Sequence, residues 1–229
     1  MNSEFVSHDG SPLAMYLALP AGDAPMIIHR AIGERRSILE LGSGPGRLTR
    51  VLVALGHRVT AVDDGAEMLA HVTGADTVLA DLFDLDLRTS FDVVLAASHL
   101  VNVPGEVQRN QLLRVCRRHL GAGGKVVVER HAPNWLLTCK ASTTTVGPVE
   151  MKFDPGRLDG HNRSASMTYT LAGRTWRQDF ATEDVDDHKL AAAANEVGLV
   201  IDGILDDDQR WIVLTALDLQ THESPTPDS

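Results

Sequence analysis

Cysteine is scarce in this sequence, basic residues are outnumbered by acidic ones, and no long apolar run occurs. Each shortage excludes a class of protein. Two cysteines, Cys116 and Cys139, without framework spacing argue against a disulfide-stapled scaffold and fit a reducing compartment. With 21 Lys and Arg against 31 Asp and Glu, the net charge of −10 leaves no basic stripe for nucleic-acid phosphates. No window approaches the ~18 uninterrupted apolar residues of a membrane span. Residues 1–10 carry Glu4, His8 and Asp9 and no apolar core, so no secretory signal is expected there. The expectation is a cytoplasmic protein with neither a membrane nor a nucleic acid as partner.

What is present is an ordinary globular composition, 43% hydrophobic and 23% charged, over 229 residues. That suffices for one α/β domain with a fully buried sheet. Leu13, Tyr16, Leu17, Met26, Ile27 and Ala31 predict two short helices broken around Pro20 and Pro25. Strands are predicted at 37–41, 58–63, 77–80, 91–96 and 125–130. Helices fall between them, from the glycine loop 42–46 through Leu55, at 65–72 and at 104–120. This alternation predicts a doubly wound α/β fold around a mostly parallel sheet.

After Pro133 the period changes to two. Val149, Met151 and Phe153, then Ala165, Met167, Tyr169 and Leu171, alternate with polar residues, and Trp176 and Phe180 continue the pattern. A small antiparallel β insertion after the fifth strand is therefore expected. A helix at 186–197 and strands at 199–205 and 211–217, joined by the acidic turn 206–208, complete the chain. The expected organisation is an N-terminal helical cap over 1–35 and an α/β domain built from 36–131 and 182–219. An inserted lid at 132–181 and a disordered tail at 220–229 make up the rest.

The sharpest motif is Glu40-Leu41-Gly42-Ser43-Gly44-Pro45-Gly46, directly after a predicted strand. Glycines let the backbone turn tightly and approach a ligand without Cβ collisions. A tight strand–helix turn would use glycine without any ligand, but two acids follow where a nucleoside needs them. Asp63 ends the second strand, where a carboxylate can accept ribose hydroxyls. Asp81 ends the third, where it could accept a hydrogen bond from an adenine amino group.

These segments, with Val62-Asp63-Asp64, Ala80-Asp81-Leu82 and Phe91-Asp92-Val93-Val94-Leu95, resemble in order the motifs of class I S-adenosylmethionine-dependent methyltransferases. The resemblance spans 38–130, and 186–217 is similar to that family's closing helix and strand pair. It implies a seven-stranded Rossmann-like sheet, S-adenosylmethionine as cofactor, and methyl transfer to an oxygen or nitrogen of a small molecule, such as a secondary metabolite. In it Gly42, Gly44 and Gly46, with Glu40 and Ser43, would shape the loop beneath the methionyl part. Asp63 would hold the ribose, Asp64 and Leu82 would flank the adenine, and Asp81 would meet its amino group. The backbone at Ala97 and Ser98 would face the methionine amino group, and Tyr16 would close over that end unless it packs in the core. Two alternatives stand beside this reading. The same fold could bind the cofactor for cyclisation or regulation, or the loop could serve an NAD-dependent oxidoreductase, although its third glycine comes one residue too early for that fingerprint.

Ligands of open α/β sheets sit at the carboxyl ends of the strands, which singles out Ser98, His99 and Asn102, then Glu129 and His131. Glu129 and His131 share a face and Arg130 points the other way. His131, then His99, is the candidate general base because histidine titrates nearest neutral pH, and Glu129 is the third catalytic candidate. Either histidine could instead merely close a strand. Trp135, Met151, Tyr169 and Trp176 are candidates for an apolar acceptor wall or for packing of the insert. No Asn/Asp-Pro-Pro-Tyr/Phe motif follows strand four, which argues against methylation of bases in DNA. Cys116 and His119, three apart on a helix, lack the further ligands a metal would need, so no metal site is expected. The acidic run Asp184, Asp186 and Asp187 reads as a helix cap. An exposed insert edge could pair two copies into a homodimer.

Overall fold

The computed structural model describes residues 6, 10 and 12–217. The tail expected at 220–229 lies outside them. In chain order the elements are α1 (Leu13–Ala18), α2 (Ala24–Ile32), β1 (Ser37–Leu41), α3 (Thr49–Ala54), β2 (Arg58–Asp63), α4 (Ala66–Leu69), β3 (Asp76–Leu79) and β4 (Phe91–Ala96). A 3₁₀ turn, Leu100–Asn102, precedes α5 (Glu106–His119), β5 (Leu120–Glu129) and α6 (Trp135–Thr138). The insert follows as β6 (Ser142–Val146), β7 (Val149–Asp159), β8 (Asn162–Leu171) and β9 (Arg174–Glu183). The chain then closes with α7 (Asp187–Glu196), β10 (Leu199–Ile204) and β11 (Trp211–Ala216).

Continuous apolar runs bury both faces of a strand, and β1, β4, β5 and β11 occupy the middle of a seven-stranded sheet ordered β10-β11-β5-β4-β1-β2-β3. Parallel pairing joins β5, β4, β1, β2 and β3, whereas β11 runs antiparallel to both β5 and β10. Alternate residues of β4 enter opposite cores, as period two requires. Val93 and Leu95 pack with Ile28, Leu48 and Leu52 from the side of α2 and α3. Val94 and Ala96 pack with Leu112, Leu113 and Leu190 from α5 and α7. The doubly wound sheet read from the alternation is the observed fold.

Three local differences have physical causes. The fifth strand begins at Leu120 rather than 125, because its glycines stay in the sheet through a register shift opposite Phe91 and Val93. A Cβ on Gly124 would lie 2.9 Å from the Asp92 carbonyl oxygen, so only glycine tolerates that approach. The helix expected at 65–72 is one short turn, α4. The strand β6 went unread because Ser-Thr-Thr-Thr-Val has no apolar alternation; it is an exposed edge held by threonine's extended preference and by pairing with β7.

The insert is a separate antiparallel sheet ordered β6-β7-β8-β9, running to Glu183 and so past the boundary expected at 181. Its inner face makes a third small core with α1, where Met15 meets Val149 and Tyr169, flanked by Tyr16, Met151 and Trp176. Met151, Tyr169 and Trp176 therefore pack the insert onto the N-terminal helix. At the opposite end the Glu183 carboxylate accepts from Gly105 N (3.0 Å), both terminal nitrogens of Arg109 (3.2 Å each) and Lys189 Nζ (2.8 Å). Burial alone would raise its pKa, but the Lys189, Gly105 and Arg109 hydrogen bonds outweigh that and hold it down at about 2. Arg130, fully buried, reaches the Gln209 and Val185 carbonyls and the Asp187 carboxylate, so β5 is tied to the start of α7. Asp186 caps α7 by accepting from Lys189 N at 2.8 Å, as its place before the helix suggested. Glu183→Ala should cost ~3–5 kcal/mol in urea unfolding, because it strands the Arg109 guanidinium in the interior. A loss within ~0.5 kcal/mol, the range of ordinary surface substitutions, would show that this junction does not secure the insert.

Candidate active site

The carboxyl ends of β1, β2, β4 and β5 bring most of the expected residues to one edge of the sheet. In the loop after β1, Gly42, Gly44 and Gly46 all adopt left-handed φ, at 64°, 55° and 79°. Asp63 is the loop's clamp: one carboxylate oxygen accepts from Gly44 N at 2.8 Å and the other from Gly65 N at 2.9 Å. Ser43 N donates to the Val62 carbonyl at 2.9 Å, stitching the loop to β2. Glu40 lies beneath, buried, and accepts from Thr49 Oγ1 at 2.6 Å. Burial pushes its pKa up to about 7, against the Thr49 hydrogen bond and the charge of Arg47. The helix expected to open directly from the loop starts at Thr49, so a string of turns separates Gly46 from α3.

The loop is the segment expected beneath the methionyl end of S-adenosylmethionine, and it leaves room there. A Cβ built on Gly44 would meet nothing within 4 Å, so open space lies above it. Tyr16 reaches this edge only as part of the core of α1 and the insert, half-buried beside Met15. On the adenine side Asp64 and Asp81 are exposed and Leu82 is half-buried. Asp81 uses one oxygen to accept from Phe83 N at 2.8 Å, which closes the turn after β3.

Beyond β4 the chain turns sharply through two consecutive non-glycine residues in left-handed conformation, Ser98 (φ 55°) and His99 (φ 59°). Such conformations persist only where the surroundings over-determine them. Glu129 Oε2 accepts from Ser98 N at 2.8 Å, so β5 holds that turn in place, with Ala97 buried beneath. The Glu129 pKa is raised, chiefly by burial, although the Ser98 N–H and the charges of Arg210 and Arg47 pull it back.

His99 and His131 stack with centroids 4.1 Å apart, and His131 stacks in turn on Trp135 at 4.2 Å. Phe153 from β7 approaches Trp135 at 5.3 Å. Of the proposed acceptor wall, Trp135 alone joins the histidines; Met151, Tyr169 and Trp176 face α1. The expectation that these histidines titrate near neutral pH is overturned. Burial, and then the charge of Arg210, lowers His99 to about 4 against a hydrogen bond to the Arg130 carbonyl. Burial, and then His99, lowers His131 to about 3. Both rings are neutral at pH 7, and a ring that binds a proton so weakly is a poor general base.

Sequence reasoning missed Thr182, whose hydroxyl lies 2.9 Å from His131 Nε2, and left Asn102 without a role, although its Oδ1 accepts from His131 N at 3.0 Å. Nothing local marks Thr182, because its partner lies across the insert. Cys116 and His119 stay in α5: the thiol is buried with its pKa pushed up to about 12, and His119 bonds the Val115 carbonyl and Leu87 N.

The shifts have opposite consequences for stability. A histidine depressed in the fold favours the folded state above its unfolded pKa of ~6.5, and that advantage is lost as pH falls. A carboxyl raised to about 7, as Glu40 is, favours the folded state below its unfolded pKa and loses that advantage as pH rises through 7. His131→Phe, which keeps the stack, should therefore lose less stability than the wild type between about pH 7 and pH 5. Glu40→Gln should lose less between about pH 5 and pH 8. Parallel urea midpoints in variant and wild type would show that neither group is perturbed.

Among the described residues no helix is long and apolar enough to cross a membrane. No curated protein matches the chain. Solved structures similar to it include the CcbJ methyltransferase from Streptomyces caelestis, 21% identical, covering 86% of this chain and 89% of that one at a TM-score of 0.68. The sugar N-methyltransferase KedS8 from a Streptoalloteichus species is 20% identical over 88% and 87%, with a TM-score of 0.68. CalS10, an amino pentose methyltransferase from Micromonospora echinaspora determined with S-adenosylmethionine bound, is 18% identical over 86% and 89%, with a TM-score of 0.67. At these identities the likeness is one of fold. Residues 39–128, which carry the glycine loop, Asp63, Asp81 and the turn after β4, match the methyltransferase domain family. That match marks a methyltransferase domain within the chain, and the sheet whose β11 runs against its neighbours is the Rossmann-like fold of the methyltransferase structures it resembles.

Proposed function

We propose that this enzyme methylates a nitrogen of a small polar molecule, an amino sugar being the acceptor class tried first. The observation that carries the reading is the pair of stacked, half-buried imidazoles at the carboxyl ends of β4 and β5. A sulfonium methyl group is already activated toward a nucleophile, so the protein's task is positioning, worth ~7–11 kcal/mol where it is complete. A hydroxyl acceptor needs a base that takes its proton, and rings held at about 4 and about 3 cannot do that well. A neutral amine brings its own lone pair, and a desolvated pocket favours the uncharged amine over its ammonium form. His131 then serves as a neutral hydrogen-bond acceptor that aims the amine. Glu129, held on Ser98 N, fixes the turn beside the methionine end. Two of the similar structures, a sugar N-methyltransferase and an amino pentose methyltransferase, support the same acceptor class.

For the donor half, Asp63 stands at the end of β2, where its carboxylate could meet the ribose hydroxyls, and Asp81 stands at the end of β3 toward the adenine amino group. Asp63→Ala should weaken S-adenosylmethionine binding by ~1–3 kcal/mol in calorimetric titration. Unchanged affinity would remove Asp63 from the site.

Purified enzyme incubated with S-adenosylmethionine and a panel of free and nucleotide-linked amino sugars should yield S-adenosylhomocysteine and an acceptor carrying an N-methyl group. Exclusive O-methylation would overturn the nitrogen reading. Tight binding of S-adenosylmethionine without turnover on any amine or hydroxyl acceptor would favour the cyclising or regulatory alternative.

A further inference from the structure

Resting on that reading of His131, we propose that Thr182 and Asn102 are positioning residues that hold His131 in one tautomer, with the proton on Nε2 and the lone pair of Nδ1 offered to the acceptor. Three chain segments distant in sequence meet here: the 3₁₀ turn after β4, the end of β5, and the last turn of the insert in β9. Asn102 is 1% exposed and Thr182 4%, so both are interior polar groups that need partners. Asn102 is satisfied at both ends of its amide, accepting from His131 N at 3.0 Å and donating to the Glu183 carbonyl at 2.9 Å. That bond fixes the backbone from which the imidazole projects.

The ring itself is held on its remaining sides. His99 and Trp135 stack on it at 4.1 and 4.2 Å, with interplanar angles of 27° and 19°. One face cannot hold two rings at such distances, so they cover opposite faces and only the ring's edges stay available. The Nε2 edge meets Thr182 Oγ1 at 2.9 Å. Thr182 has a single hydroxyl proton and two neighbours, since the Asn102 carbonyl oxygen lies 3.4 Å away. A carbonyl can only accept. If the hydroxyl proton goes to the carbonyl, the ring must donate from Nε2, and both contacts are hydrogen bonds. If the proton points at the ring, the contact with the carbonyl is lost, which is costly for interior groups. The first arrangement leaves Nδ1 without a proton. A neutral imidazole with a bare Nδ1 accepts an amine N–H and so orients the amine lone pair.

The tautomer can be read without knowing the acceptor. In ¹⁵N-labelled enzyme, long-range proton–nitrogen correlation between about pH 6.5 and pH 8 should show His131, assigned by its disappearance in His131→Phe, with its proton on Nε2. Thr182→Val should convert it to a mixture of tautomers, and Thr182→Ser should restore the single form. Calorimetry with S-adenosylmethionine should give the same affinity for all three proteins. With an amine acceptor found by turnover, Thr182→Val should lower kcat about tenfold or more with little change in the KM of the donor, as loss of alignment does. A wild-type ring protonated on Nδ1, or a tautomer indifferent to Thr182→Val, would overturn the proposal. Absence of methyl transfer together with the expected tautomer would instead refute the proposed acceptor chemistry and leave the positioning intact.

Discussion

The arrangement of the molecule depends on one half-buried carboxylate. Glu183 ends the insert, and the donors it gathers come from the backbone before α5, from the side chain of Arg109 on α5, and from Lys189 on α7. Without it the inserted sheet would keep its contact with α1, a core built on three buried side chains, and the links of Thr182 and Phe153 to the ends of the main sheet. A buried ion pair contributes little net stability, because desolvation offsets attraction, but it tolerates few alternative geometries. Its value here is register. It sets the end of β9 so that Thr182 faces His131 and the Glu183 carbonyl meets Asn102. The insert is thus placed by electrostatics and the main sheet by hydrophobic layering.

The layering was legible in the sequence because both faces of its strands are covered. A short, nearly continuous apolar run has few uses besides a buried strand, which is why 37–41, 58–63 and 91–96 agree to the residue with β1, β2 and β4. The cap at Asp186 was equally plain, since an aspartate before an amphipathic segment has a local job. What could not be read depends on contacts between distant segments. The strand β6 is polar on both faces and exists because β7 offers it a partner. Thr182 is an ordinary strand threonine until the end of β5 comes beside it. The histidines were found by position, yet their protonation was misjudged, because burial is a property of the fold and the reference value belongs to the free side chain.

The cofactor edge shows how one residue type serves structure and ligand together. Asp63 was singled out for ribose, and in the fold each of its oxygens first satisfies a backbone N–H of the loops on either side. Those bonds hold the two loops around the carboxylate. Glu40, two residues before Gly42, whose φ only glycine adopts readily, works from beneath. By holding Thr49 it fixes the start of α3 and hence the far end of the loop. The glycines permit the conformation, and the two acids select it.

The depressed histidine pKa values have a consequence for catalysis that concerns charge rather than proton transfer. A methyl sulfonium donor is a cation, and its positive charge passes to the acceptor nitrogen as the bond forms. A protonated imidazole at the acceptor site would repel that charge throughout, in a region where low dielectric makes repulsion expensive. Stacking His131 between His99 and Trp135 half-buries both imidazoles, and that burial favours their neutral forms. The nearby guanidinium of Arg210 is met by the carboxylates of Asp206 and Asp208, and Arg47 lies near enough to Glu40 and Glu129 to lower both their pKa values. Positive charge in this region is therefore matched before any ligand arrives. On the proposed acceptor chemistry, such an arrangement would let a cation and a neutral amine lie side by side, which is the pairing that methyl transfer to nitrogen requires.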